Sequence, residues 1–298
     1  MPVELEQGTH QLEISVSEGQ FLLGNICLQA PAEVPVYTGS EKAQGSELIT
    51  IQGEDFYQRN DSAIHAIGEY DTALFPLSAT DTVLNTVDSD SFKNAGQTVT
   101  YEFEVDQPGY YYLAMNYKQS DKNDFPVFLD FRIDGQIPST AFQGWQAEYT
   151  TKYRTAALQD GDGNNLSVYL DQGRHTISIT ISIEKLLYVL EQVDEIMNGI
   201  NDLSLEVTKV AGTKKDKFRD LRLTRYIPDV QERLYGWVER LYELAEYATQ
   251  FVKEDDPEEV AAFGYLIIAA KQLKSLGDEP NELIYRVAEL STSVNSIN

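Results

Sequence analysis

The chain has 298 residues, 42% of them hydrophobic and 24% charged, with 18 Tyr and 12 Phe, a composition that folds and allows about two domains. Its formal net charge of −25 repels phosphate backbones and anionic lipid headgroups, so neither nucleic acid nor a membrane surface is an expected partner. The single cysteine, Cys27, rules out an intrachain disulfide and a cysteine-rich metal site.

In chain order, residues 8–17 and 21–28 alternate apolar and polar side chains around Glu18-Gly19-Gln20 and read as a hairpin. Gly8-Thr9-His10 and the alternating positions after it recur at Gly173-Arg174-His175 and beyond. That internal repeat makes residues 1–30 either the tail of a preceding β-sandwich or strands added to the one that follows. The first ten residues lack a basic and apolar leader pattern, and no run of about 18 apolar residues occurs anywhere. The chain therefore reads either as cytoplasmic or as a piece of something exported. Residues 31–48, rich in Ala, Pro, Gly, Ser and Glu without periodicity, read as a linker.

Residues 49–183 read as an antiparallel β-sandwich of about eight strands, a jelly roll. An opening strand covers 49–58. A long polar stretch over 59–96 exceeds the length of a simple turn and is a candidate binding rim. From Gln97 to Tyr117 the spacing predicts a hairpin: Val99, Tyr101, Phe103 and Val105 alternate with polar residues, Asp106-Gln107-Pro108-Gly109 turns, and Tyr111, Leu113, Met115 and Tyr117 resume the alternation. Further strands fall at 125–133, 145–158, 166–170 and 176–182.

After Ile183 the apolar period changes to three and four, and residues 184–298 read as an antiparallel helical bundle. Leu186 through Val210 form one apolar seam, and Lys185–Ala211 would span about 40 Å at 1.5 Å per residue. Pro228 can open a second helix with Val230, Leu234, Trp237, Leu241, Leu244, Ala248 and Phe251 on one face. Asp256-Pro257-Glu258-Glu259 can cap a third that ends near Gly277, and Pro280 can open a fourth. Trp237 with Tyr235, Tyr242 and Tyr247 falls at helical spacing and is expected between helices.

Little of the sequence points to catalysis. The chain has three histidines: His10 and His175 occupy equivalent strand starts, which favours structural roles, and His65 lies in a loop without a second histidine. No nucleophile elbow or glycine-rich phosphate loop is present, and no pair among the many carboxylates is singled out as a glycosidase acid pair. Asp160, Asp162, Asn164 and Asp171 fall at positions one, three, five and twelve of a calcium loop, but Asn165, Ser167 and strand-like flanks depart from it. A polar hairpin turn uses the same residue types. Trp145, Tyr149 and Tyr153 could stack on sugar rings, with core packing as the competing reading for Trp145 and Tyr149. Tyr57, Arg59, Asn60 and Asp61 sit where a loop would expose them.

Gly53-Glu54-Asp55-Phe56, Gly96-Gln97, Pro108-Gly109-Tyr110-Tyr111, Ile133-Asp134-Gly135, Trp145 and Tyr169 through Ile177 together resemble the galactose-binding-like sandwich of carbohydrate-binding modules, families six and thirty-five. Adding Asn201-Asp202-Leu203, Phe218-Arg219-Asp220, Tyr226-Ile227-Pro228-Asp229 and Leu234-Tyr235-Gly236-Trp237, the chain resembles the module-plus-bundle region of large extracellular solute-binding proteins of Gram-positive ABC sugar transporters. This resemblance implies an exported, surface-located parent protein with neighbouring domains, and a glycan or oligosaccharide partner. Such modules commonly carry two acids for a structural calcium in the opening strand, where Gln52 stands in place of the first and Glu54 keeps the second. The expectation is a non-catalytic glycan-binding region using Tyr57, Arg59, Asn60, Asp61 and Trp145. A ligand-free spacer and an ancillary domain of a polysaccharide-degrading enzyme are the alternatives.

Overall fold

The computed structural model describes residues 7–13, 33–37, 47–121, 124–212, 222–252 and 256–297. Its first half holds eleven strands: β1 (Gln58–Arg59), β2 (Ala66–Ile67), β3 (Thr86–Val87), β4 (Thr98–Val105), β5 (Gly109–Tyr112), β6 (Ala114–Gln119), β7 (Val127–Ile133), β8 (Trp145–Ala147), β9 (Thr150–Ala157), β10 (Ser167–Leu170) and β11 (Gly173–Ser182). One layer is an antiparallel five-stranded sheet in the order β1-β4-β11-β7-β8. The other is a long two-stranded ribbon. In it β6 pairs with β9 and β5 with β10, and the two halves are joined where Leu158 N–H donates to Leu113 O and Leu166 N–H to Leu158 O.

The alternation read from residues 97–117 holds, but the hairpin does not. Val99, Tyr101, Phe103 and Val105 face the interior from β4, as Tyr111, Leu113, Met115 and Tyr117 do from β5 and β6. The two segments nevertheless belong to different layers, because β4 pairs with β1 and β11, and β5 with β10. The turn between them is an arch. Its amides at Asp106 and Gln107 donate to the Glu47 carboxylate at 3.0 Å each, and the Tyr111 hydroxyl donates to the same group. With Glu47 taking those amides, the chain leaves the first sheet and enters the second.

Of the expected opening strand over 49–58, only the last residue, Gln58, falls in a paired strand, β1. The long stretch after it carries its own small hairpin, β2–β3. Residues 7–13 of the internal repeat form no strand, and the rest of that N-terminal hairpin lies outside the described residues. The expected linker contributes to the fold: Pro35 O accepts from Thr140 N–H at 2.9 Å, and Tyr37 packs on the main sandwich cluster.

The second half holds α1 (Leu187–Ala211), α2 (Leu223–Tyr226), α3 (Val230–Thr249), α4 (Gly264–Asp278) and α5 (Leu283–Ile297). Ile196, Ile200, Leu203 and Val207 of α1, Leu234, Trp237, Leu241 and Leu244 of α3, and Leu273, Leu276, Leu283 and Leu290 of the last two helices share one buried cluster. Gly199 lets α1 and α3 approach closely, since a Cβ there would stand 2.8 Å from the Trp237 ring. Helix boundaries differ from the sequence reading: α3 starts at Val230 and α5 at Leu283, two and three residues after Pro228 and Pro280, and two further differences are larger. The Asp256 carboxylate caps a single turn by accepting the Glu258 N–H at 2.9 Å, and α4 starts only at Gly264. Phe251 lies beyond the end of α3, where it leaves the bundle face and meets the sandwich.

That meeting explains why β7 is buried on both faces. Leu129, Phe131 and Ile133 point into the sandwich, while Phe128, 2% exposed, points out of it. The Phe128 ring stands edge-on to Phe251 at 5.1 Å, and Phe125 is edge-on to Phe251 at 6.4 Å and to Phe263 at 5.7 Å. These rings dock the bundle against the outer side of the five-stranded sheet. A second seam joins Gln143 Nε2 to Glu184 Oε2 at 2.5 Å, just before α1.

Candidate functional site

The predicted rim residues come together at one end of the sandwich. β1 runs along the edge of β4, and the chain then turns through Asn60–Ile64 beside the loop that leads into β4. Asn60 spans the two: its Nδ2 donates to Gly96 O at 2.7 Å and its Oδ1 accepts from Thr98 N–H at 2.8 Å. Gly96 adopts a φ of +82° there, a backbone state that a side chain would oppose. Asp61 accepts from Ala63 N–H at 2.9 Å and from the buried Gln97 amide at 2.7 Å. Those two donors hold its carboxyl below the usual range, the Ala63 N–H first. Gln97 Oε1 in turn accepts from the N–H groups of Lys93 and Asn94.

Between these loops lies an open depression of about 460 Å3 lined by Asn60, Asp61, Ser62, Asn94, Ala95, Gly96 and Gln97. Its wall consists mainly of amide, hydroxyl and carboxylate groups, the donors and acceptors that match sugar hydroxyls. Asn60, Asp61 and Gln97 first latch the loops together and offer a ligand only their remaining lone pairs and amide hydrogens. Arg59 is turned to structure as well, donating to Ile64 O and lying 5.6 Å from the Phe56 ring centroid. Tyr57, 66% exposed, presents its ring to solvent just before β1.

Trp145 is placed otherwise. It pairs with Leu129 on β8 and stands edge-on to Tyr117 and Phe131 at 6.0 and 5.9 Å, within the main sandwich cluster. The competing core reading thus describes its position, and it supports the scaffold instead of the rim. Tyr153 is also engaged, donating to Glu69 Oε2 at 2.6 Å; burial, then that bond, pushes its hydroxyl pKa up to about 12.

The long loop between β2 and β3 holds two aromatics that the sequence reading passed over. Asn85, buried, fastens it by donating to Glu69 O and Pro76 O and accepting from Glu69 N–H. Glu69 pairs with Lys118, and Asn116 Nδ2 donates to Ala73 O at 2.9 Å, which tie the loop to β6. From this anchored loop Tyr70 and Phe75 project with 77% and 72% exposure. The available signal was a pair of aromatics in an otherwise polar stretch too long for a turn.

The four calcium candidates are not brought together. Asp160, Asp162 and Asn164 share one turn, where Asp160 Oδ1 accepts from the N–H groups of Asp162 and Asn164 at 3.0 and 2.8 Å. Those bonds, the Asn164 N–H first, lower the Asp160 pKa. Asp171 lies beyond the far end of β10, where its carbonyl faces His175. The polar turn is what this sequence builds. At the calcium position that the resemblance implies, Glu54 Oε2 is buried without a hydrogen-bond partner, and burial raises its pKa. One carboxylate beside Gln52 does not make up a calcium set. Among the described residues, no group of three or more His, Cys, Asp or Glu could hold a metal ion.

His175 is a staple. Its Nδ1 lies 2.7 Å from Asp134 Oδ2 and its Nε2 2.9 Å from Asp171 O, which joins β11 to the turn after β7 and to the end of β10. Among the described residues, no helix is long and apolar enough to cross a membrane.

Comparison with solved structures finds distant likenesses. A Paenibacillus sp. cycloisomaltooligosaccharide glucanotransferase complexed with cycloisomaltoheptaose is 15% identical with a TM-score of 0.31, the match covering 50% of this chain and 17% of that one. A family 35 carbohydrate binding module from Clostridium thermocellum is 18% identical with a TM-score of 0.28, over 44% of this chain and 82% of the module. A Podospora anserina GH26-CBM35 beta-(1,4)-mannanase is 15% identical with a TM-score of 0.29, over 45% of this chain and 24% of the enzyme. No curated protein matches the chain. Residues 188–298, the span of α1 to α5, match the family model of the bacterial solute-binding protein 4-helix bundle domain.

Proposed function

We propose that this chain is a non-catalytic, glycan-binding accessory region of an exported solute-binding protein that serves an ABC sugar transporter. The observation that carries the reading is the joining, in one chain, of a sandwich with solvent-facing rim aromatics to a helical region that matches the solute-binding bundle family. The organisation that goes with it is an N-terminal segment over residues 1–30, a connecting stretch over 31–48, a sandwich over 49–183 and a bundle over 184–298. Recognition uses flat rings for stacking, Tyr57 at the rim and Tyr70 and Phe75 on the anchored loop. Asn60 and Asp61 line the depression and contribute their spare hydrogen-bonding capacity, with Arg59 beside them in the chain. The acidic surface favours neutral or weakly charged glycans.

A glycan array followed by calorimetric titration of the intact chain, with and without calcium, tests this. Binding to a neutral oligosaccharide that falls about tenfold in Tyr57→Ala, the loss of roughly 1.4 kcal/mol, is the expected result. Failure to bind any plant, microbial or host glycan would overturn the reading and leave the spacer role. That role has an observation of its own in its favour, the internal commitment of Asn60, Asp61 and Gln97.

A further inference from the structure

Gln97, 4% exposed, makes every hydrogen bond its side chain can make. Its Oε1 accepts from the N–H groups of Lys93 and Asn94 at 2.9 and 2.8 Å, and its Nε2 donates to Ser91 O at 3.0 Å. Those three bonds shape its own loop. The fourth leaves it, Nε2 donating to Asp61 Oδ2 at 2.7 Å on the other segment that borders the depression. Donors face one end of the amide and acceptors the other, so the group has a single orientation. Its backbone is fixed too: Gln97 O accepts from Ile181 N–H, and Gln97 N–H donates to Asn94 O.

A loop that needed only its own shape would be complete with the three inner bonds. The bond to Asp61, with the two that Asn60 makes to Gly96 and Thr98, sets the spacing of the two segments. Two side chains on the border stay outside this network. Ser62 and Asn94 are exposed and line the depression from the two segments, and among the described residues no hydrogen bond engages the Ser62 hydroxyl or the Asn94 carboxamide. Both project from held backbone. Asn94 gives its N–H to Gln97 Oε1 and its carbonyl accepts from Gln97 N–H, while Ser62 lies between Asp61 and Ala63, which are joined through the Asp61 carboxylate.

Resting on the glycan-binding reading, we infer that Gln97 is the positioning residue of this depression and that Ser62 and Asn94 are the side chains that contact the ligand, an uncharged sugar presenting adjacent hydroxyls. A hydroxyl on one segment and a carboxamide on the other offer such a diol both donors and acceptors. Because Gln97 fixes the spacing beforehand, little ordering is left for the ligand to impose. The Asp61 carboxylate next to Ser62 disfavours an acidic sugar. Asn60 and Asp61 are then mainly the frame, and their neighbours make the contact.

Neutral hexasaccharides of the gluco and manno series are titrated into the intact chain and into its Ser62→Ala, Asn94→Ala, Gln97→Glu and Tyr57→Ala variants, at pH 7 and pH 5. Ser62→Ala and Asn94→Ala should each bind about fivefold more weakly, with unchanged melting temperatures. Gln97→Glu sets a second carboxylate against Asp61 at pH 7, and protonation of one member of that pair restores a donor between them. Relative to the unaltered chain, its affinity should fall about tenfold at pH 7 and return at pH 5, measured at a temperature where it is folded. Full affinity in both alanine variants, with a loss in Tyr57→Ala, overturns the inference and leaves the glycan reading standing. A folded Gln97→Glu that binds like the unaltered chain at pH 7 assigns Gln97 to loop stability and overturns its positioning role. If Gln97→Glu does not fold, the two alanine variants, changed at exposed positions, decide. No binding by the unaltered chain overturns both readings.

Discussion

The two halves of this molecule fill their interiors differently. The bundle buries one main cluster, mostly Leu, Ile and Val, with Trp237 as its one buried ring, and a smaller cluster around Phe263 at the seam. The sandwich divides its interior among three smaller clusters, while both halves leave rings facing water, Tyr57, Tyr70 and Phe75 among them in the sandwich and Tyr188, Tyr226 and Tyr265 in the bundle. A helix pair can close on itself through aliphatic ridges alone. The sandwich needs rings inside as well, at Phe131, Phe142 and Trp145. The difference makes the bundle interior mainly aliphatic and the sandwich interior a set of ring-filled compartments.

The sharpest way to break this contrast is to open one core and watch the other. Leu241→Ala removes a side chain with no exposure at the middle of α3 and should cost about 3 kcal/mol, lowering the melting temperature of the helical region by several degrees. Leu166→Ala, also from full burial, lies beside the 159–165 turn, which can settle into the space, and should cost less, about 2 kcal/mol. Calorimetry with probes in each half would show whether the losses stay separate. Equal effects on both halves from Leu241→Ala would mean that they share one cooperative unit.

A smaller change tests the seam between them. Phe251 meets Phe125, Phe128 and Tyr247 edge-on, so Phe251→Ala should cost about 2 kcal/mol, counting its partial burial and the ring pairs it loses. It should also move the unfolding transitions of the two halves further apart. If the spacing between the two transitions stays as it is in the unaltered chain, the rings are not what couples sandwich to bundle.

Phe251 also shows where the sequence stopped being informative. Its spacing continues the α3 seam without a break, and periodicity cannot reveal that the helix ends at Thr249 and the ring turns to another domain. The bundle was otherwise legible, because Ile200, Leu203, Leu234 and Leu241 repeat at helical spacing on faces that had to be buried. In the sandwich, alternation identified the inward residues of β4 and β5 but not which strands pair. The destination of the Asp106–Pro108 turn was decided by Glu47, about sixty positions away in the chain. The site was legible to the same extent. Asn60 and Asp61 were located as loop residues, while their commitment to Gly96, Thr98 and Gln97 depended on a contact across the fold. Trp145 carried an ambiguity between core and surface that only the register with Leu129 resolves.

The smallest expected effect comes from a titrating link in the sandwich, which differs in kind from the aliphatic contacts of the bundle core. Both nitrogens of His175 face acceptors, Asp134 Oδ2 and Asp171 O. Only the doubly protonated ring can donate to both, so the Asp134 bond above all raises the His175 pKa from its ordinary 6.5. For Asp134, burial works against the charge, but the bonds from His175 and from Thr176 N–H prevail and bring its pKa below the ordinary 3.8. The stabilisation due to His175 is therefore complete below pH 6.5 and fades as pH rises through its raised folded value. That due to Asp134 is complete above pH 3.8 and fades as pH falls through its lowered one. With Asp134 half exposed, solvent screening keeps the effect modest. Melting curves between pH 5 and pH 8 should show the intact chain losing stability towards the alkaline end relative to His175→Gln, with the gap narrowing in high salt. Parallel curves for the two proteins would show that the staple holds through geometry alone, and the sandwich would then be as indifferent to this pH range as the bundle core.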